Sequence, residues 1–465
     1  MSQSHSAFMH SAIEAIAWPA LPTPPAAELL AQLYQLEQTQ WWPAAALAEK
    51  QLRQFALLAD HAYRQAPFYR RRLDLAGLAP RSVWSRETYT KIPLLTRAEL
   101  LAQASDIFCR AVPETHGAVN EIQTTGSSGQ PVTVRRTGVS QLTWLALTMR
   151  DHFWQQRDFG ASLAVIRAAV PVADNDDEAR RNGWGAPASL LFPTGPGYAL
   201  PISVDVAQQA EWLLRRNPGY LLTYPTNLNA LLSCFERLGR FPAGLRQVRS
   251  ISETLPAELR ARCRQTLGVE VVDMYSSQEV GVIALQCPVS GLYHVQSESL
   301  LVEVLDDAGQ PCAPGQVGRV VVTDLHNFAT PIIRYEIRDY AEVGPPCPCG
   351  RGLPTLARIA GRERNMVVLP NGERHWPLVG YHRFREIAPI TQFQLLQHSV
   401  QEVEVRLAVE QPLSAQQEAR LTDVIQTALG HPFPLRFNYF SGELPRTQGG
   451  KFEEFACLIA TGDQG

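Results

Sequence analysis

This sequence of 465 residues has no long apolar run, no strong excess of one charge and very few lysines. No segment approaches the roughly 20 uninterrupted apolar residues of a membrane-spanning helix. The first 25 residues have no basic stretch followed by an apolar run, so we expect no signal peptide and a cytoplasmic location. The net charge of −3, without a basic face or tail, argues against a nucleic-acid partner. An apolar content of 45% is typical of a globular enzyme with two or three domains.

Lysine is scarce, since only Lys50, Lys91 and Lys451 occur among 42 basic residues. A lysine in this background is of interest because the planar guanidinium of arginine cannot replace its compact ammonium group. Lys451 lies in the polar, glycine-rich segment 444–452. An ammonium group there could neutralise charge that develops on a phosphoryl or carboxylate group. The alternative is a solvated lysine near the chain end.

The hydrophobic pattern is typical of an α/β protein. Residues 40–72 have apolar side chains at helical spacing, and Pro67 is predicted to end this helix. A strand at 248–251, a helix at 256–267 and a strand at 269–272 form a predicted β-α-β unit. The proline at the start of this helix and the glycine after its end support the assignment. The unit predicts a parallel sheet.

The pattern changes after residue 300. Short β-like runs at 300–305, 319–324 and 332–335 are separated by turns rich in glycine and proline, which predicts a β-rich subdomain. A helix near 414–429 lies among further predicted strands. These elements predict a second, smaller domain at the C-terminal end of the chain.

One segment concentrates hydroxyl groups and glycines before a β-like run at 132–134. It reads Thr124-Thr125-Gly126-Ser127-Ser128-Gly129-Gln130-Pro131. Glycine permits positive φ and close backbone approach, so successive N–H groups can surround an anion, and the hydroxyls add donors for phosphate oxygens. No Gly-Lys-Ser/Thr follows, so the segment is not a Walker A loop. A flexible hairpin turn is an equally good interpretation of the segment alone.

Two further segments carry groups suited to a nucleotide. Tyr275 and Glu279 follow the predicted strand 269–272, and ligands of α/β proteins bind beyond the carboxyl ends of strands. An aromatic ring there can stack on a purine, and a carboxylate can hold Mg²⁺ beside phosphates. Asp339 lies at the end of the β-like run 334–339, where it can accept from ribose hydroxyls. Core packing of Tyr275, a solvated Glu279 and a surface salt bridge of Asp339 are the alternatives.

Three of the eight cysteines and one histidine form a possible metal set. Cys347 and Cys349 are separated by one residue and are preceded by Cys287 and His294. A Cys₃His set is typical of structural zinc. The spacing is unusual for such a site, and from spacing alone plain thiols are favoured.

The phosphate-type loop, the Tyr275 segment, the Asp339 segment and Lys451 occur in one order that resembles the acyl-adenylate-forming superfamily of acyl-CoA synthetases, adenylation domains and luciferases. The stretches 61–69 and 346–351 resemble more closely the phenylacetate–CoA ligase branch. The resemblance covers residues 40–460. It implies an α/β fold: a large N-terminal domain (1–361) of mixed or parallel sheets with helices plus the β-rich subdomain, and a small mobile C-terminal α+β domain (362–465).

The resemblance also implies a role for each matching residue. Lys451 would bridge the substrate carboxylate and the α-phosphate, and Glu279 would bind Mg²⁺. Arg362 would lie at the hinge between the domains. In this branch the Cys₃His set resembles a structural zinc clip. The remaining implied contacts are to ATP: Thr124, Thr125, Gly126, Ser127, Ser128 and Gly129 at the phosphates, Ser252, Glu253, Tyr275 and Ser276 at the adenine site, and Asp339 at the ribose.

The implied activity is ATP-dependent conversion of a carboxylic acid, aryl or small, to an acyl-adenylate with release of pyrophosphate, followed by transfer to CoA. The segment 368–375 lacks the glycine-containing strand that shapes the pantetheine tunnel in this branch. Transfer to an amine or a carrier-protein thiol therefore stays an alternative. A non-catalytic nucleotide-binding protein is a third hypothesis, against which Glu279, Asp339 and Lys451 argue.

Overall fold

The structure is a computed structural model, and it divides into two compact units. The first comprises residues 1–255 and 259–359, and the second comprises residues 256–258 and 360–465. The residues that the structure describes are 9–78, 84–124, 131–168, 170, 180–377, 384, 386–442, 444–445 and 452–459. In these ranges no helix is long and apolar enough to cross a bilayer.

Helices occur in both units, although only the last lies wholly in the second. They are α1 (Pro24–Thr39), α2 (Ala44–Gln65), α3 (Pro67–Leu75), α4 (Arg86–Thr90), α5 (Arg97–Ala102), α6 (Ala104–Ile107), α7 (Gly138–Trp154), α8 (Ala188–Leu191), α9 (Val206–Arg216), α10 (Pro225–Leu238), α11 (Ala257–Leu267) and α12 (Ala415–Leu429).

Strands alternate with these helices up to residue 277 and dominate afterwards. They are β1 (Asn120–Gln123), β2 (Thr133–Arg136), β3 (Leu163–Arg167), β4 (Arg180–Arg181), β5 (Gly197–Pro201), β6 (Tyr220–Thr223), β7 (Gln247–Ile251), β8 (Glu270–Ser277), β9 (Gly281–Gln286), β10 (Tyr293–Val295), β11 (Leu300–Leu305), β12 (Val317–Asp324), β13 (Tyr335–Val343), β14 (Thr355–Arg362), β15 (Val367–Val368), β16 (Arg374–His375), β17 (Gln392–Ser399), β18 (Glu402–Ala408), β19 (Leu435–Phe440) and β20 (Phe455–Cys457).

The first unit is built on one mixed sheet, in which twelve described strands lie in the order β11-β12-β13-β14-β10-β9-β8-β7-β6-β3-β5-β4. Strands β5, β3, β6, β7 and β8 are parallel to one another, whereas β4 pairs antiparallel with β5, β9 with β8, and β10 with β9. The predicted β-α-β unit is confirmed, since β7, α11 and β8 form it. The predicted β-rich subdomain is the antiparallel half of the same sheet rather than a separate layer.

Local sequence explains the helix boundaries in the region predicted as one helix at 40–72. Ala66 adopts an extended conformation with φ −113° and ψ 111°, as a residue before proline prefers. Helix α2 therefore ends at Gln65, and Pro67 is the first residue of α3. Proline suits this position because the first turn of a helix needs no N–H donor. The proline ends the predicted helix but also begins a new one.

Two predicted strand limits were wrong. The run predicted at 332–335 is not a strand before Tyr335, where β13 begins, because Arg334 has a φ of +50° that breaks the extended backbone. Strand β8 was predicted to end at residue 272, but it continues through Ser277. Tyr275 is therefore part of the strand, and Asp339 lies within β13 rather than at its end.

The second unit contains a sheet with the strand order β19-β18-β17-β20, packed against α12, and a hairpin of β15 and β16. The predicted helix at 414–429 is confirmed. Ser414 caps it, accepting a hydrogen bond from the backbone N–H of Gln417 at 3.4 Å, and Gly430 ends it with a φ of +67°. Leu421, Ile425 and Leu429 of this helix are buried against the sheet.

Candidate active site

The sheet changes from parallel to antiparallel pairing at β8, and Tyr275 lies at this change. Its register with β9 shifts between Tyr275 and Ser276. The Tyr275 hydroxyl donates a hydrogen bond to Oδ2 of Asp339 at 2.8 Å, and both side chains are buried. Two residues predicted for a nucleotide site, which are far apart in the sequence, are thus in direct contact.

Glu279 follows β8 by two residues, and its side chain is only 10% exposed. Oε1 of this carboxylate lies 3.4 Å from Nη1 of Arg97. The hydroxyl of Tyr335 is also nearby: burial, with a smaller contribution from the Glu279 carboxylate, raises the pKa of Tyr335 well above its usual value. Glu279 is therefore a buried carboxylate beside one cation, not the solvated helix start of the alternative interpretation.

A second arginine holds the backbone next to Glu279. Arg136, at the end of β2, donates from Nη2 to the carbonyl oxygen of Gln278, and its guanidinium carbon lies 4.4 Å from the ring centre of Trp144. Burial lowers the pKa of Arg136, while Asp324 and Glu279 oppose this effect. Neither Arg136 nor Arg97 was predicted, because arginine is so common in this sequence that no local pattern distinguishes them.

The hairpin of β1 and β2 carries the predicted phosphate loop. At its base the Thr124 backbone N–H donates to the carbonyl oxygen of Val132, and the Val132 N–H donates to Thr124 Oγ1, both at 2.9 Å. The Thr124 hydroxyl thus helps to close the base of the loop. Thr125, Gly126, Ser127, Ser128 and Gly129 lie outside the described residues, and so does Lys451.

The predicted adenine residues Ser252 and Glu253 directly follow β7, next to β8. Because Ile251 pairs with Met274, Ser252 is level with Tyr275 on the neighbouring strand. Ser252 is exposed and has a φ of +71°. Glu253 accepts hydrogen bonds from the backbone N–H and the hydroxyl of Thr226 at 3.0 and 3.1 Å. The structure therefore brings Ser252, Glu253, Tyr275 and Ser276 together at the carboxyl ends of the neighbouring strands β7 and β8.

Arg362 lies at the end of β14, in the second unit. Its backbone N–H donates to Oδ1 of Asn365 at 3.2 Å, and Nδ2 of Asn365 donates to the carbonyl oxygen of Phe455 at 2.7 Å. Arg362 thus begins the short helical turn that connects β14 to the rest of the second unit. The predicted hinge role stays a prediction.

The four predicted metal ligands lie together in the antiparallel half of the sheet. The ligand atoms of Cys287, His294, Cys347 and Cys349 are all within 4.8 Å of one another. The sulfur atoms of Cys347 and Cys287 are 3.7 Å apart, and Sγ of Cys349 is 3.3 Å from Nε2 of His294. Two thiolates at about 2.3 Å from a tetrahedral zinc ion would be about 3.8 Å apart. The donor types and their spacing therefore fit zinc.

Neighbouring groups orient the imidazole of this cluster. Nδ1 of His294 lies 3.3 Å from the carbonyl oxygen of Leu353, which directs Nε2 towards the sulfur atoms. Such a carbonyl contact is the usual second partner of a metal-bound histidine. Burial lowers the pKa of His294 to about 4, so the ring is neutral, the form that binds a metal. Cys287, His294 and the Cys347–Cys349 segment belong to or flank β9, β10 and β14, which a metal would link.

Comparison with known proteins identifies relatives among the phenylacetate–CoA ligases, the branch that the sequence motifs resemble. The phenylacetate–coenzyme A ligase of Pseudomonas putida is 25% identical over 342 residues, which cover 70% of this chain and 72% of that protein. The enzyme of the same name from Thermus thermophilus is 26% identical over 338 residues, covering 70% and 71%. Residues 379–455 match the family model described as the CapK C-terminal domain.

The fold also has solved counterparts. The 2-hydroxyisobutyryl-CoA ligase in its postadenylation state superposes with a TM-score of 0.70 at 20% identity, covering 90% of this chain and 91% of that one. The anthranilate–CoA ligase AuaEII superposes with a TM-score of 0.52 at 17% identity, covering 72% and 65%. The chain thus has the fold of the adenylate-forming CoA ligases. The predicted resemblance is confirmed, and the chain is a homologue of the phenylacetate–CoA ligases.

Proposed function

We propose that this protein is an ATP-dependent acid–thiol ligase that activates a carboxylic acid as its acyl-adenylate. The observation that carries the proposal is the buried pair of Tyr275 and Asp339 beside Glu279, near the carboxyl ends of the central strands β7 and β8. Its relatives are named as ligases of phenylacetate and CoA. Their substrate makes an aryl or other small organic acid the first class to test, and CoA the first acceptor.

In the proposed first step, a carboxylate oxygen of the substrate attacks the α-phosphorus of ATP. A P–O bond forms, the bond to the β-phosphate oxygen breaks, and pyrophosphate leaves. The residues of the site contribute positioning and electrostatic stabilisation rather than covalent chemistry. Asp339 would accept hydrogen bonds from the ribose, and Tyr275, oriented by its bond to Asp339, would lie against the adenine. In the second step the thiol sulfur attacks the acyl carbon and AMP leaves.

Glu279 would hold the magnesium ion that accompanies ATP. A magnesium ion bound by one or two carboxylates and by phosphate oxygens supplies positive charge where the leaving pyrophosphate gains negative charge. Glu279 fits this task because it is a buried carboxylate just beyond the carboxyl end of β8, and Nη1 of Arg97 lies 3.4 Å from its Oε1. Arg136 would keep the adjoining backbone in place through the Gln278 carbonyl group.

The proposal assigns a different role to each of the two predicted domains. Residues 1–361 would bind ATP and the acid, with the loop 124–129 at the phosphates. Residues 362–465 would form a lid that carries Lys451 and turns about Arg362 between the two steps. The lid would present Lys451 to the carboxylate and the α-phosphate during adenylation.

The test is carboxylate-dependent exchange of pyrophosphate into ATP, measured over a panel of aryl, small aliphatic and fatty acids. We expect exchange with one acid class, and Lys451→Ala to lower it by about a hundredfold, as expected for one transition-state contact. Lys91→Ala is the matched control, because the Lys91 side chain is exposed and its ammonium group pairs with the exposed Glu87, one helical turn away, at 3.1 Å. Equal rates for the two variants would contradict the role of Lys451.

The acceptor is tested with the acid that gives exchange. Formation of its CoA thioester, detected by mass spectrometry, would support the acid–thiol ligase. Exchange without thioester, but with an amide from a supplied amine or an acylated carrier protein, would favour the alternative raised by the segment 368–375. ATP binding without exchange for any acid would support the non-catalytic hypothesis.

We also propose that Cys287, His294, Cys347 and Cys349 bind a structural zinc ion. All four positions would be filled by protein, which leaves none for a substrate. Purified protein should contain one zinc per chain, and Cys349→Ser should lower both the zinc content and the melting temperature. Cys312→Ser is the matched control, because Cys312 is partly exposed and lies outside the cluster. Zinc far below one equivalent in the native protein would refute the site.

A further inference from the structure

A polar network lies inside the first unit, around the carboxylate of Asp273 on β8. Both of its oxygens accept hydrogen bonds from hydroxyl groups, Oδ1 from Ser250 of β7 at 2.6 Å and Oδ2 from Tyr293 of β10 at 2.9 Å. All three side chains are buried. A carboxylate is costly to bury unless such bonds replace the water that it has lost. The two hydroxyls therefore tie strands on both sides of β8 to the same carboxylate.

A guanidinium group connects two partners of Asp273. Nη2 of Arg260, on α11, donates to the Tyr293 hydroxyl at 2.9 Å, and Nη1 donates to Oε1 of Gln286 at 3.0 Å. The same Gln286 oxygen accepts a hydrogen bond from the backbone N–H of Asp273 at 2.9 Å. Asp273 is thus held at its side chain by Tyr293 and at its backbone by Gln286, and Arg260 orients both of these partners.

Gln286 and Tyr293 each directly precede a residue of the proposed zinc site. Gln286 ends β9 and is followed by Cys287, whereas Tyr293 begins β10 and is followed by His294. Gln286 and Tyr293 lie opposite each other in the pairing of β9 with β10. Because successive side chains of a strand point to opposite faces, the hairpin presents His294 to the cysteines on one face and Tyr293 to Asp273 on the other. A metal that fixes this hairpin therefore also fixes both partners of Asp273.

The contacts on the two faces of the hairpin agree with this geometry. The ring of His294 packs edge-on against Trp154 of α7, with centroids 5.6 Å apart, and its Nε2 lies 3.3 Å from Sγ of Cys349. The Tyr293 hydroxyl instead accepts its hydrogen bond from Arg260 of α11. Different helices therefore cover the metal side and the network side, and the backbone of the hairpin joins the two.

The network also reaches the proposed nucleotide site. Asp273 lies two residues before Tyr275 on β8, and Ser250 lies two residues before Ser252, which follows β7. Residues at this spacing share one face of a strand, so a displacement of Asp273 displaces the Tyr275 ring as well. The bond of Tyr275 to Asp339 at 2.8 Å requires that this ring stay in place. A misplacement of about 1 Å is enough to impair a binding or catalytic site strongly.

We propose that Tyr293 is a positioning residue, through which the Cys₃His cluster holds β8 and with it the adenine site. Zinc and the adenine nucleotide then bind cooperatively, although they occupy separate sites. Each favours the geometry of hairpin and strand that the other requires. Such coupling is reciprocal: zinc tightens nucleotide binding by the same factor by which the nucleotide tightens zinc binding. The proposal rests on the proposed function, because it needs both the nucleotide site and the zinc site.

The first test uses the full-length wild-type protein. Its zinc affinity is measured by competition with a chromophoric zinc chelator, in the absence and in the presence of saturating AMP. AMP carries the adenine and the ribose but lacks the triphosphate with which ATP itself chelates zinc. We expect AMP to tighten zinc binding about tenfold, the effect of one hydrogen bond to a charged group. Zinc affinity that does not change with AMP, in protein that binds both, would overturn the coupling.

Paired variants test Tyr293 itself. Tyr293→Phe keeps the ring and removes the hydroxyl, so the Kd of the zinc-loaded variant for AMP should rise about tenfold, and AMP should change its zinc affinity by less than about twofold. Tyr220→Phe is the matched control, because Tyr220 is 5% exposed and Tyr293 6%. The Tyr220 hydroxyl accepts a hydrogen bond from the backbone N–H of Asp158 at 2.9 Å, at the first residue of β6. This variant should keep the wild-type Kd and the wild-type coupling.

The outcomes separate positioning from a purely structural role. A structural role predicts loss of stability in both variants while AMP still tightens zinc binding in each, and this result, or equal Kd values for the two variants, would overturn the role of Tyr293. If Tyr293→Phe does not fold, the wild-type measurement still decides whether the two sites are coupled. Absence of any AMP or ATP binding by the wild-type protein would overturn the proposed function together with the coupling. AMP binding that is independent of zinc would overturn the coupling alone.

Discussion

The ion pair of Arg334 and Glu303 offers a quantitative test of how the strand that carries Asp339 is held. Nε and Nη2 of Arg334 donate to the two carboxylate oxygens of Glu303 at 3.0 and 3.1 Å. Nη1 donates to the carbonyl oxygens of Thr90 and Ile92 at 2.6 and 2.5 Å. The side chains are only 7% and 2% exposed. The four hydrogen bonds of this guanidinium fix the residue that immediately precedes β13.

The substitution Glu303→Ala leaves the Arg334 guanidinium buried without its carboxylate. Removal of one partner from a buried pair destabilises a protein by about 3–5 kcal/mol. With a urea slope of about 3 kcal/mol per molar, this loss lowers the unfolding midpoint by about 1 M or more. An exposed pair is worth less than about 1 kcal/mol, so its loss moves the midpoint by a few tenths molar.

Tryptophan fluorescence during urea unfolding measures this effect in the first unit. The chain has nine tryptophans, and all except Trp376 lie within residues 1–255. Glu342→Ala is the matched control, because Glu342 pairs with Arg358 at 2.7 Å while the arginine side chain is 61% exposed. Equal midpoint shifts for Glu303→Ala and Glu342→Ala would refute the claim that burial makes the first pair important.

Three further predictions follow from buried groups. Tyr275→Phe keeps the ring but loses the bond to Asp339, and a bond to a charged group is worth about 1.5–3 kcal/mol, so the KM for ATP in the exchange assay should rise at least about tenfold. Burial raises the pKa of Asp324 from 3.8 to about 6, so the folded state binds more protons than the unfolded chain in this interval. The free energy of unfolding in urea should therefore fall as pH rises from 4 to 6, by up to about 3 kcal/mol. Asp324→Asn should remove this fall. Burial raises the pKa of Glu404, but hydrogen bonds, led by that of Arg406, lower it to a net value of about 2. The contribution of Glu404 to the stability of the second unit is present above the unfolded pKa of 4.5 and should be lost as pH falls towards 2. Glu404→Gln should flatten this loss in a circular-dichroism acid titration.

Elements with local signals were predictable from the sequence. The helix at 415–429 begins after a capping serine and ends at a glycine, and both signals act within one turn of the helix. The unit of β7, α11 and β8 has a proline and a glycine at matching places. In contrast, the start of β13 depends on the positive φ of Arg334. Hydrogen bonds to Glu303, which is distant in the sequence, hold this residue, so no local pattern reveals it.

The candidate site was predictable only as separate pieces. Tyr275 and Asp339 were each chosen for their chemistry, but their hydrogen bond depends on the pairing of strands far apart in the chain. The contact of Arg97 with Glu279 joins residues from different segments in the same way. Nothing in the local sequence distinguishes Arg97 from the other arginines, because its role comes from the tertiary structure.

The strand order of the large sheet also determines when the protein can fold during its synthesis on the ribosome. Strand β10 pairs with β9 on one side, but its other partner is β14, where His294 meets Thr355. Until residue 355 has left the ribosome, that edge of β10 is open, and open edges can pair with other chains. Asp339 reaches Tyr275 only in the same late interval. The nascent chain therefore carries an incomplete sheet, and the proposed nucleotide site is incomplete as well, through most of its translation, the period in which chaperones would protect it.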